Sequence, residues 1–74
     1  MKYLLFMFIL TSSGQPLPPV LISEFTIGGM PAPQRVVDAA KKRCEEDGST
    51  IAQQWNLARA GLIHVPSCVL IHEH

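Results

Sequence analysis

The residues of this 74-residue chain best equipped for chemistry are two cysteines, Cys44 and Cys68, and three histidines, His64, His72 and His74. Thiolate and imidazole are the ligand types of zinc and copper. Cys68, His72 and His74 have the same parity, so an extended segment would line them along one face, with Cys44 brought in by the fold. Cys44, Cys68, His72 and His74 therefore form the one candidate metal set. Their spacing contains no CxxC and matches no finger or ribbon pattern. A second chemistry takes Cys68 as a nucleophile with His64 or His72 as its base. A chain this small leaves little room for a substrate pocket beside such a pair. The third chemistry is a disulfide. An even cysteine count in an exported chain points to a bridge, here Cys44–Cys68. That bridge consumes both sulfurs, so the sequence predicts no catalytic residue, no metal and no cofactor.

Export is suggested by Met1 to Gly14. Lys2 supplies a positive start, Tyr3 to Leu10 an unbroken apolar run, and Thr11-Ser12-Ser13-Gly14 a small polar end. This is the order of a secretory signal peptide, with cleavage after Gly14. The apolar run is shorter than the roughly 20 residues that span a bilayer. One alternative is a small membrane-tethered protein whose leader stays uncut; another makes Tyr3 to Leu10 a third, fully buried strand of the fold itself. Loss of the leader would leave 60 residues. A domain of that size is marginal without a disulfide, a metal or an oligomer.

Charge excludes other classes. Six basic residues balance six acidic ones. The one basic cluster, Lys41-Lys42-Arg43, is followed almost at once by Glu45-Glu46-Asp47, so no basic patch is available to displace counterions from nucleic acid. Gly28-Gly29 belongs to neither a phosphate loop nor a dinucleotide turn. Pro16 and Pro19 make a bare PxxP with no basic neighbour. Trp55 is either the largest core residue or an anchor at an interface.

The elements that must position these residues follow from punctuation and period. The prolines of 15–19 predict an extended spacer. Val20 to Ile27 alternates as a half-buried strand and ends at Gly28-Gly29. Val36, Val37, Ala40 and Cys44 recur at helical spacing, which predicts a helix from Pro33 to Asp47 with Gly48 as its stop. Thr50 and Gln53 have capping-box spacing and open a second helix that ends near Gly61. A strand over Ile51 to Ala58 competes with it. Pro66 delays the last strand to Ser67 or Cys68.

The expected fold is therefore α+β: a leader over 1–14, a spacer over 15–19, and a strand–helix–helix–strand domain over 20–74. Two strands make a marginal sheet and leave edges exposed. This predicts a protein partner or a homodimer. The expected function is binding rather than catalysis, by an exported protein, periplasmic or secreted, held together by Cys44–Cys68.

Overall fold

The run Tyr3 to Leu10 is apolar at both parities because it is the middle strand of a sheet. Its odd-numbered side chains build the core and its even-numbered ones lie on the opposite face, and both sets are apolar, so no alternation shows. In the computed structural model, which describes residues 1–29 and 32–72, β1 spans Lys2–Thr11, β2 Pro16–Thr26, α1 Gln34–Ala58 and β3 Leu62–Ile71. The three strands form one antiparallel sheet in the order β2-β1-β3.

This corrects the expected strand–helix–helix–strand order. The stretch that reads as a leader, Met1 to Gly14, holds β1 and the turn after it. Thr11-Ser12-Ser13-Gly14 makes that turn: the Gly14 N–H donates to the Thr11 carbonyl at 2.9 Å, and the Gln15 N–H to Thr11 Oγ1 at 3.0 Å. Gly14 sits at φ +87°, a conformation that favours glycine. The proline stretch is the first part of β2 and no spacer. β2 lies at an edge of the sheet, where missing donors are tolerated. Pro66 likewise sits within β3, the other edge, so this strand begins at Leu62, ahead of the predicted start.

The two predicted helices are one, 25 residues long. Gly48 does not stop it. Gly48 is buried where α1 touches the sheet, and that packing holds the glycine in the helix. Thr50 does not cap a new helix either: its hydroxyl donates back to the Glu46 carbonyl at 3.0 Å, a bond typical of a helix interior. The competing strand over Ile51 to Ala58 is equally excluded, since these residues are helical.

α1 covers one face of the sheet. Tyr3, Leu5, Met7 and Ile9 of β1 point toward it and are buried. Two clusters result. One joins Tyr3, Leu5, Ile27, Val37 and Cys44. The other joins Met7, Ile9 and Ala52, with Ile51, Trp55 and Leu62 against it. The helix lies over β1 and β3 and scarcely reaches β2.

Candidate binding surface

Cys44 and Cys68 form a disulfide, with Cα atoms 6.2 Å apart. The predicted stripe carries Cys44: Val37 and Cys44 are buried and Ala40 half-buried, while Val36 turns outward. Cys68 pairs in register with Leu5 of β1 and so faces the helix. The bridge ties the middle of α1 to an edge strand. That accords with the packing of α1 over β3 and β1 and with the opening left beside β2. A groove of about 520 Å³ lies there, lined by Ser23, Glu24, Phe25, Thr26, Arg43 and Asp47 among others. Its charges are of both signs, and among the described residues no cysteine or histidine lines it.

The other sequence candidates do not meet. The disulfide takes both sulfurs, which removes Cys44 and Cys68 as thiolate ligands and Cys68 as a nucleophile in this form. His72 is exposed beyond the end of β3, and His74 lies outside the described residues. Among the described residues, no cluster of three or more His, Cys, Asp or Glu is placed to hold a metal ion. His64 is buried, 3% exposed. Asn56 Oδ1 accepts from the His64 backbone N–H at 2.8 Å and lies 2.8 Å from Nδ1. A carbonyl oxygen only accepts, so the Nδ1 of this imidazole carries its proton. Nε2 is buried without a hydrogen-bond partner among the described residues.

Trp55 is half-buried. It meets His64 edge to face at 5.5 Å between ring centroids, and the Arg59 guanidinium lies 4.8 Å from its ring centroid. The contact joins the end of α1 to β3. Asn56, which holds His64 from the same turn of the helix, has no signal in the sequence that would single it out.

Among the described residues, no helix lies on the opposite face of the sheet. Strand alternation puts Leu4, Phe6, Phe8 and Leu10 of β1 there, and the register brings Ile63, Val65, Ser67, Val69 and Ile71 of β3 alongside. Leu21 of β2 pairs with Phe6 on the same side. Five of these side chains are large, apolar and 42–49% exposed: Phe8, Leu21, Ile63, Val65 and Val69. Ionised groups stand only toward one end of the face, where Lys2 Nζ is 3.4 Å from Glu24 Oε1. Isolated domains rarely expose a contiguous apolar face, and this makes it the candidate surface. The sequence carried this signal in the both-parity apolar character of 3–10, which also fits a leader. Among the described residues, no helix is long and apolar enough to cross a membrane.

No family model, curated protein or solved structure matches this chain.

Proposed function

We propose that this is a small disulfide-stabilised protein of an oxidising compartment that acts by binding, docking another protein on the open face of its sheet. The carrying observation is that face itself: the outward residues of β1 and β3 are apolar from Leu4 to Leu10 and from Ile63 to Ile71, interrupted only by Ser67. Leu4 is already buried, but Phe8, Ile63, Val65 and Val69 meet water, and burial of such surface gives about 25 cal/mol per Å². Cys44–Cys68 supports the compartment, because disulfides persist where the surroundings are oxidising. The fold that carries this bridge includes β1, so the proposed working form keeps residues 1–14 in place. Catalysis is disfavoured by the commitment of both sulfurs to the bridge.

The test places a photo-crosslinking side chain at position 65, on the open face, and at position 41, on the exposed side of α1, in protein made in its native host. Adducts with protein from position 65, far exceeding those from position 41, are expected. Equal labelling from both positions, or none from 65, overturns the reading. Thiol alkylation before lysis checks the compartment: the cysteines should be protected in the native host until reductant is added.

A further inference from the structure

We infer that the occupant of the open face is a second copy of this chain, packed sheet against sheet. The inference rests on the binding role proposed for that face and names its partner. Four observations carry it.

The first is what the edges disfavour. Side-by-side addition of a copy needs a run of free edge donors. β2 has Pro16, Pro18 and Pro19 near its start, and β3 has Pro66 at its middle. Pro18 and Pro19 stand where the ladder with β1 shifts register, opposite Phe8, and neither can donate to an added strand. These breaks shorten the run open to an added strand and favour a copy that joins face-on.

The second is area. Three strands about 4.8 Å apart and ten residues long make a face of about 14 by 34 Å, or about 480 Å² in projection. Two such faces hide about 950 Å² even before their relief is counted, close to the roughly 1,000 Å² that a specific interface requires. The molecule is a slab, 44 × 22 × 14 Å along its principal axes, so this broad face is its largest route to further burial.

The third is charge. The outward residues of β1 from Leu4 to Leu10 and of β3 carry no ionised group. Electrostatic complementarity is the usual means of selecting a different protein, and the centre of this face has none. A two-fold pairing requires only that the same surface match itself. The ionised Lys2 and Glu24 stand near one end, where a polar rim belongs.

The fourth is the size of the core. The sheet has a helix on one side only, and a domain of this length is short of buried surface. A second copy gives each molecule the missing layer, as a helix–sheet–sheet–helix stack with sheets about 10 Å apart. β1, apolar on both sides, then lies in the interior on both sides.

The test is sedimentation equilibrium of the full oxidised chain, with Phe8→Asp and Val65→Lys as separate variants and circular dichroism as the check on folding. The wild-type chain should sediment at twice its 8.2 kDa mass at tens of micromolar. Each variant should shift to the single mass, with dimerisation weakened on the order of 100-fold by a charge forced into an apolar contact. If both variants lose their fold, the purified wild-type protein with the crosslinker at position 65 decides: adducts between two copies, mapping to the outward residues of β1 and β3, support the pairing. A wild-type chain that stays at single mass to hundreds of micromolar overturns it. In that event, adducts from position 65 with a different protein in the host leave the binding role standing. Pelleting of the single-mass chain with phosphatidylcholine vesicles, without protein adducts, overturns both.

Discussion

Gly48 of α1 lies against Pro66 of β3 with no room for another carbon between them. A methyl group on Gly48 would stand 2.8 Å from the Pro66 Cβ and 2.8 Å from Leu5 Cδ1. The helix therefore meets two strands of the sheet at a residue that has no side chain. Cys44, one turn earlier, bonds to Cys68, two residues beyond Pro66. The bridge and the close approach are two parts of one contact.

Gly48→Ala should accordingly destabilise the protein. Alanine gains about 1 kcal/mol over glycine in helix propensity. Overpacking a tight contact costs about 1–3 kcal/mol, and here the cost falls at the high end. The proline ring cannot swing aside, and the disulfide prevents α1 from sliding. We expect a net loss of about 1–2 kcal/mol by urea unfolding. A gain in stability would show that the helix can lift from the sheet at this point.

The same contact explains what was legible in the sequence. A glycine after an acidic run looks like a helix stop, and only the proximity of Leu5 and Pro66 shows why it sits mid-helix. The stripe through Val37 and Cys44 was readable because it depends on local period, and so was the pairing of Cys44 with Cys68. β1 was readable only as the alternative to a leader, because a run apolar at both parities fits either. Pro16, Pro18, Pro19 and Pro66 concealed the lengths of β2 and β3, since a proline is a breaker in a central strand but tolerated at an edge. The open face could not be read without β1, since it is built around that strand's even-numbered residues.

Reduction should weaken the fold strongly. The bridge joins residues 24 apart in sequence, a loop that is worth about 3–4 kcal/mol in the chain-entropy description. Small domains have only about 5–15 kcal/mol in total. Reductant should lower the melting temperature by roughly 15–30 °C, at about 4–8 °C per kcal/mol for a domain of this size. The double variant Cys44→Ser with Cys68→Ser should resemble the reduced protein and be insensitive to reductant. An unchanged melting curve on full reduction would show that packing of α1 on β3 suffices by itself.

Asn56 should matter more than its exposed position suggests. Its side-chain oxygen is the acceptor for the backbone N–H and the ring of His64, both at 2.8 Å, and His64 is a buried residue in an edge strand. Asn56→Ala removes that acceptor and leaves buried donors unmet, at a cost of about 1–3 kcal/mol. Amide exchange at His64 should accelerate, because its N–H no longer has a closed partner. Gln53→Ala, an exposed substitution earlier on α1, is the control and should change little. Equal exchange at His64 in both variants would remove the proposed role of Asn56.

Removal of residues 1–14 should abolish the fold altogether. β1 is the only strand that pairs with both others, and Tyr3, Leu5, Met7 and Ile9 supply much of both buried clusters. Without them β2 and β3 have no shared neighbour, and α1 faces no sheet. The Ile27 N–H, which donates to the Met1 carbonyl at 2.9 Å, loses its acceptor as well. Helix alone cannot compensate, because most of a helix's stability in a protein comes from packing its apolar side. A chain beginning at Gln15 should give a disordered circular dichroism spectrum, with no cooperative melting even when Cys44 and Cys68 are oxidised. Adding a peptide of residues 1–14 should restore strand signal if β1 can dock in trans. Cooperative melting of the shortened chain by itself would mean that β2, α1 and β3 form a different fold once β1 is gone, and would return Met1 to Gly14 to the role of a removable leader.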